Sequence, residues 1–120
     1  MYWKDLEVWK KAHEIVLKIY RIIATFPDTE RYALSDQLKR AAYSIPANIV
    51  EGHSRKSSKE FVQYLYQARA SLEELRYFLL LSNDLAYINS GIYRELESDC
   101  SEISKMLNKL ISSVKSKLDS

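Results

Sequence analysis

A regular apolar repeat between Phe61 and Leu79 is the feature that most constrains the fold. Its members alternate at intervals of four and three residues: Phe61, Leu65, Ala68, Leu72, Leu75 and Leu79. Residues with this spacing lie along one side of an α-helix, whereas a half-buried strand alternates at every second residue. The segment therefore predicts a long helix with one buried side, and that side needs other helices to cover it.

Three more segments carry rows of the same kind. The rows are Trp9, Ala12, Val16, Ile19, Ile23 and Phe26, then Leu34, Leu38, Ala41, Ile45 and Ile49, and lastly Ile92, Leu96, Cys100, Ile103, Leu107, Leu110 and Val114. Only two glycines and two prolines occur among the 120 residues, so turn-forming residues are scarce. The sequence predicts helices at about 5–25, 30–53, 58–86 and 91–117. They form an all-α, antiparallel up-down four-helix bundle, a single domain over residues 1–120.

Several classes of protein do not fit this sequence. No apolar run approaches the roughly 20 residues of a membrane-spanning helix. The first residues, MYWKDLEVWKK, are charged where a secretory signal needs an apolar core. The lone cysteine, Cys100, cannot form an intrachain disulfide, and its place in an apolar row predicts a buried thiol. We expect a cytoplasmic protein that has no contact with a membrane.

Catalytic and metal-binding motifs are also missing. A di-iron bundle needs Glu-x-x-His, but Lys10 and Val50 stand three residues before the two histidines, His13 and His53. His13, between polar neighbours, is predicted to lie on a solvated face. P-loop, dinucleotide-binding and GxSxG patterns are absent. We expect no cofactor, no metal and no enzymatic activity. The remaining alternative is a catalytic bundle, which would gather its titratable groups in a concave pocket.

A polar stripe follows the second helix at spacings of three and four: Gln37, Arg40, Ser44, Asn48, Glu51 and Arg55. One interpretation is a solvated outer face with pairs such as Glu51 and Arg55. The other is a hydrogen-bonding surface that faces another subunit or a nucleic acid. Within the same helix, Pro46 predicts a bend, and Gly52 predicts a left-handed residue that releases the chain.

The segment after this helix, HSRKSSK at 53–59, is basic and polar. Ser57 and Glu60 have the spacing of a capping box at the start of the third helix. Free amides at a helix N-terminus, together with nearby cations, suit a phosphate. The net charge of +2 is too small to indicate a nucleic acid without this clustering. The candidate nucleic-acid-binding residues are Arg55, Lys56, Lys59, Lys10 and Lys11.

Four stretches resemble the 23S rRNA-intervening-sequence proteins. They are DLEVWKKA (5–12), IYRIIATFP (19–27), QLKRAAYSIPANIVEGHSR (37–55) and KEFVQYLYQARASLEEL (59–75). The resemblance implies an antiparallel four-helix bundle that assembles into a ring-shaped homopentamer with basic patches. A related bundle is the accessory protein of diversity-generating retroelements, which binds a reverse transcriptase and RNA.

The resemblance also marks positions along the second helix. By their match to the family's motif they are Gln37, Arg40, Ser44, Pro46, Asn48, Glu51, Gly52 and Arg55. The chain departs from the usual pattern at Ala33, Val50 and His53. For the stripe we predict a structural or assembly role, in which Arg40, Asn48 and Glu51 form hydrogen bonds between helices or subunits.

The sequence thus favours a non-enzymatic homo-oligomer that binds RNA or DNA through basic surface patches or acts as an assembly adaptor. The alternative is a module that docks onto a protein partner such as a reverse transcriptase, with no direct nucleic-acid contact.

Overall fold

The structure, a computed structural model, describes residues 2–118; Met1, Asp119 and Ser120 of the predicted domain lie outside the described residues. It has four long helices, which confirms the predicted all-α fold. They are α1 (Glu7–Ile23), α2 (Leu34–His53), α3 (Ser58–Asp84) and α4 (Ser90–Leu118). Two short 3-10 turns, Trp3–Asp5 and Asp28–Glu30, precede α1 and α2. None of the helices in this part of the chain combines the length and apolarity needed to cross a bilayer.

The helices form an elongated body of 50 × 24 × 20 Å in which each helix contacts its two neighbours. Contacts between α1 and α4 pair Lys11 with Glu102 and Lys18 with Glu95, so these helices run in opposite directions. The short connections after α2 and α3 reverse the chain in the same way. One end of the bundle therefore holds the turn Trp3–Asp5, the connection 54–57 and the end of α4. The other end holds connections 24–33 and 85–89.

The core contains the predicted rows of α2 and α3, in which only Phe61 is partly buried, and in all four helices it is wider than one row. In α1, Val8 and Ile15 are buried, whereas Trp9 and Ile23 are only partly buried. In α4, Ile111 is buried and Leu110 is partly buried. The reason is geometric: each helix of a bundle faces two neighbours, so its buried side is broader than a single row of residues.

The α2 helix begins at Leu34, four residues later than predicted. The turn Asp28–Glu30 and three turn residues occupy the start of the predicted segment. The Leu34 amide donates to Glu30 Oε1 (3.4 Å), and Tyr87 Oη donates to Glu30 Oε2 (2.8 Å). Glu30 thus caps α2 and links the two connections at this end, and no local sequence signal predicts that link.

The α3 helix ends at Asp84, two residues before the predicted end at Ala86. Ala86 has a φ of 62°, the left-handed conformation that usually requires glycine. The Ala86 amide donates to the carbonyl of Asn83 (3.0 Å), and the Tyr87 amide donates to that of Ser82 (2.9 Å). These two bonds define a Schellman motif, which satisfies carbonyls at the end of the helix.

The prediction for Gly52 is wrong. No glycine among residues 2–118 has a positive φ, and Gly52 lies inside α2 and is buried. A Cβ atom added there would lie 2.6 Å from Tyr64 Cβ and 2.9 Å from Phe61 Cδ1. Glycine is therefore needed for close approach of α2 to α3, not for a turn. Pro46 is also buried, and α2 continues through it as one helix.

Candidate nucleic-acid interface

The connection between α2 and α3 is fixed by hydrogen bonds at both ends. Ser54 Oγ donates to the Glu51 carbonyl (2.7 Å), and the Arg55 amide donates to that of Gly52 (3.1 Å). Ser57 Oγ then accepts from the Glu60 amide (3.3 Å), the first of the two bonds of the predicted capping box. The amides of Ser58 and Lys59 have no acceptor within residues 2–118. This first turn of α3 can donate to an anion.

The three predicted cations of this connection are exposed but differ in their partners. Arg55 donates to Tyr64 Oη (2.6 Å), and its guanidinium carbon lies 4.9 Å from the centre of that ring. It also lies 3.6 Å from Glu51, an exposed pair of the kind that contributes little stability. Lys56 and Lys59 form no ion pair in the described part of the chain. Arg55 is thus held in place, whereas the two lysines can move to meet a phosphate.

The other two predicted candidates, Lys10 and Lys11, lie on α1 and already have partners. Lys10 Nζ is 3.2 Å from Glu7, one turn earlier. Lys11 Nζ is 3.3 Å from Asp99 and 3.4 Å from Glu102, both on α4. Burial alone would lower the pKa of Lys11, but the bonds to Asp99 and Glu102 outweigh it and raise this pKa. The structure brings neither lysine into the connection 54–57, and Lys11 serves the α1–α4 contact.

Asp99 is the residue of this contact that the sequence analysis missed. Its side chain is 13% exposed and accepts from Lys18 Nζ at 2.8 Å as well as from Lys11. The hydrogen bond to Asp99 is the main cause that raises the pKa of Lys18. The signal was present in the spacing of both partners, because Lys11 and Lys18 are seven residues apart and Asp99 lies between Glu95 and Glu102. Recognising it requires knowing that α1 and α4 are neighbours.

The polar stripe of α2 makes most of its contacts within that helix. Arg40 Nε donates to Asp36 (3.1 Å), and Asn48 Nδ2 donates to the Ser44 carbonyl (2.8 Å). Two members of the stripe reach α3: Ser44 Oγ is 2.9 Å from Ser71 Oγ, and Arg55 donates to Tyr64 Oη. Among residues 2–118, the predicted bonds of Arg40, Asn48 and Glu51 to neighbouring helices are not formed. Their predicted contacts with another subunit stay a prediction.

The N-terminal part of this stripe, from Gln37 to Ser44, lines an open polar groove of about 410 Å³ between α2 and α3. Its lining consists of Asp36, Gln37, Arg40, Ala41, Ser44, Ser71 and Glu74. The groove contains no histidine or cysteine. A serine nucleophile needs a neighbouring base, but the hydroxyls of Ser44 and Ser71 bond to each other. Cys100 is fully buried, and burial raises the pKa of its thiol to about 12.

The two ends of the bundle differ in charge. Residues 2–7, 51–60 and 112–118 contain six Lys or Arg against four Asp or Glu, and we name this the basic end. Residues 24–36 and 82–95 contain two Lys or Arg against five Asp or Glu, and we name this the acidic end. The small net charge of the chain therefore conceals a separation of charge along the bundle.

Comparison with known proteins identifies the family of this chain. The family model described as "23S rRNA-intervening sequence protein" matches residues 4–109. The chain belongs to that family. The match extends well into α4, beyond the four stretches in which the sequence shows the resemblance.

A solved structure supports this membership. It is a crystal structure of a protein of unknown function, from the S23 ribosomal protein family, of Bacteroides thetaiotaomicron VPI-5482. The two chains are 28% identical, with a TM-score of 0.81 over 88% of this chain and 95% of that one. None of the curated proteins that were compared matches the chain. The family thus fixes the architecture without supplying a function for the basic end.

Proposed function

We propose that this chain is a non-enzymatic nucleic-acid-binding protein, with RNA as its main ligand, and that it contacts phosphates through the basic end. The observation that carries the proposal is the exposed connection 54–57 with the first turn of α3. Arg55, Lys56 and Lys59 lie beside the unbonded amides of Ser58 and Lys59. Cations and helix N-terminal amides are the groups that bind nucleic-acid backbones. The acidic end would repel the same ligand, so binding is confined to one end.

The protein would act as a homo-oligomer, a pentamer by its resemblance to the family, and in the cytoplasm. Several copies would present several basic ends to one nucleic acid and raise its apparent affinity without new contacts. Such a protein could serve as an assembly adaptor for a ribonucleoprotein. The absence of a paired base and nucleophile in the α2–α3 groove supports the proposal that it is not an enzyme.

Salt dependence of RNA binding tests the phosphate contacts. Fluorescence anisotropy of a labelled single-stranded RNA is measured between about 50 and 200 mM salt, where phosphate contacts release counterions. The variant Arg55→Ser, Lys56→Ser, Lys59→Ser should bind more weakly. Its slope of log affinity against log salt should fall by about 2, since each lost contact on a single strand contributes about 0.7.

A matched variant removes the same charge away from the basic end: Arg31 and Arg94 belong to the acidic end, and Lys39 lies about one helical turn beyond it in α2. Arg31→Ser, Lys39→Ser, Arg94→Ser should leave both the affinity and the slope near those of the unaltered protein. If RNA binding is undetectable at about 50 mM salt, or indifferent to salt, the proposed function is wrong. An equal loss in both variants would mean a general charge effect with no basic-end site.

A protein-docking role is the second candidate, and one surface favours it. On α3, Tyr77 is 58% exposed and Leu80 is 42% exposed, beside a shallow groove that α4 completes with Tyr93. Exposed aromatic and aliphatic side chains next to one another are typical of protein interfaces. In this alternative the chain docks onto a protein such as a reverse transcriptase. Two results together would favour docking over nucleic-acid binding. The double variant Tyr77→Ser, Leu80→Ser would fail to capture the partner protein, and neither this variant nor the unaltered protein would bind RNA.

A further inference from the structure

Four aromatic rings form a continuous cluster at the start of the chain, and the proposed function makes no use of them. Successive ring centres are 5.1 Å apart for Tyr2 and Trp3, 4.9 Å for Trp3 and Trp9, and 5.1 Å for Trp9 and His13. We name this cluster the aromatic ladder. The sequence predicts Trp9 in the apolar row and His13 on a solvated face, and no local pattern connects the two residues.

The backbone holds the ladder in place. The turn Trp3–Asp5 is closed by the Asp5 amide, which donates to the Tyr2 carbonyl (2.9 Å), and by the Leu6 amide, which donates to that of Trp3 (3.1 Å). This turn places Trp3 against Trp9, which is partly buried and also packs against the core. One helical turn later, His13 lies almost parallel to Trp9, with 5° between the ring planes. The ladder is therefore anchored to the bundle through Trp9.

Two of the four rings are exposed, and a lysine lies beside the start of the ladder. Tyr2 is 52% exposed, and His13 is also exposed. Lys4 Nζ lies 5.7 Å from the centre of the Tyr2 ring and 5.5 Å from that of Trp3. The turn that carries Trp3 contacts α2 as well as α1, and the antiparallel packing places this contact at the basic end. The ladder and the connection 54–57 thus belong to the same end of the bundle.

We infer that the aromatic ladder is a base-stacking platform, which selects single-stranded over duplex nucleic acid at the basic end. The inference rests on the proposed function, because the phosphates of the same strand would contact Lys4 and the connection 54–57. Proteins that bind single strands combine cations with aromatic side chains on which bases stack. The bases of a duplex are already stacked on one another, so a duplex offers only its phosphates. Recognition by stacking would tolerate different sequences, since every base has a π-face.

Tryptophan fluorescence tests this directly, because Trp3 and Trp9 are the only two tryptophans of the chain. Oligouridine should quench this fluorescence as it binds. An abasic oligonucleotide of equal length, which has the phosphates but no bases, should bind without comparable quenching. A duplex of the same length should behave as the abasic strand does.

Variants that leave Trp9 in the core complete the test. The double variant Tyr2→Ala, His13→Ala should bind oligouridine about 5- to 150-fold more weakly. This is the range expected for loss of stacking on one base. The salt slope of this variant should stay unchanged, because no phosphate contact is removed. Tyr32→Ala is the matched control, because Tyr32 is 87% exposed but lies at the acidic end. Circular dichroism melting verifies that both variants fold.

The outcomes separate this inference from the proposed function. One outcome is salt-dependent RNA binding that does not quench the tryptophans, with the variant Tyr2→Ala, His13→Ala binding RNA as tightly as the unaltered protein. This result would overturn the stacking role of the aromatic ladder and leave the phosphate contacts in place. Absence of any nucleic-acid binding would overturn both. A lower oligomer mass of the same variant in light scattering, with RNA affinity per subunit unchanged, would assign the rings to a subunit contact and also overturn the inference.

Discussion

At the scale of single residues, Gly52 lies where the structure leaves no room for a Cβ atom. We expect Gly52→Ala to lower the free energy of unfolding by roughly 1–3 kcal/mol, because its Cβ would overlap Tyr64 and Phe61 and push α2 away from α3. Urea denaturation measures this change. Gly91→Ala is the control, since a Cβ there would approach only Asn89 Oδ1, at 3.3 Å, and should cost less. Equal stability of Gly52→Ala and the unaltered protein would contradict the close-packing role.

Ala86 gives a second prediction at this scale, with the opposite sign. We expect Ala86→Gly to raise the free energy of unfolding by about 1 kcal/mol, because glycine adopts the left-handed conformation of a Schellman motif without the strain of a Cβ atom. Ala70→Gly, at an exposed position inside α3, should cost about 1 kcal/mol through helix propensity. Thermal unfolding of the two variants should therefore shift in opposite directions. A lower melting temperature for Ala86→Gly would refute this account.

At the scale of helices, the contact between α1 and α4 depends on Asp99 and its two lysines. We expect Asp99→Asn to lower stability by about 1 kcal/mol, since Lys11 and Lys18 both lose a charged acceptor and the pairs are partly exposed. Urea denaturation at neutral pH measures this loss. Glu14→Gln is a control on the same helix pair, because Glu14 is exposed and forms no ion pair in the part of the chain described.

The same contact predicts a dependence on pH. The pKa of Lys18 is raised above 10.5 in the folded protein, so its contribution is complete below pH 10.5 and is lost as the pH rises through the folded-state pKa. The stability difference between the unaltered protein and Lys18→Met should therefore shrink above pH 10.5. Taking the difference cancels the titration of the tyrosines, which both proteins share. A constant difference across this range would contradict the pairing.

At the scale of the whole molecule, Arg40 tests assembly. Its side chain is 67% exposed and, among residues 2–118, pairs only with Asp36, so Arg40→Ala should cost no more than about 0.5 kcal/mol of protomer stability. We nevertheless expect this variant to lower the oligomer mass in light scattering, because the stripe is proposed to face another subunit. Arg94→Ala, which removes a cation from the acidic end, should leave the mass unchanged. Unchanged mass in both variants would remove Arg40 from the assembly motif.

Some parts of the candidate site can be predicted from the sequence, and others depend on the packing of the whole molecule. The exposed basic connection and the Ser57 cap were predicted because both are local: a cap depends on residues three apart, and cations between two helices stay near solvent. Lys11 was different. Nothing near it in sequence revealed that Asp99 and Glu102 would meet it across the bundle.

By itself, the sequence determined the number of helices, most of their core rows, the all-α class and the family motif of α2. Periodicity and capping act within one segment, so they can be recognised without knowing its neighbours. Only the tertiary structure decided that Gly52 permits close packing, that Lys11 belongs to an ion-pair contact, and that Trp3, Trp9 and His13 form a ladder. These features depend on how each segment is rotated and aligned against another, and side-chain packing sets that alignment across the whole bundle.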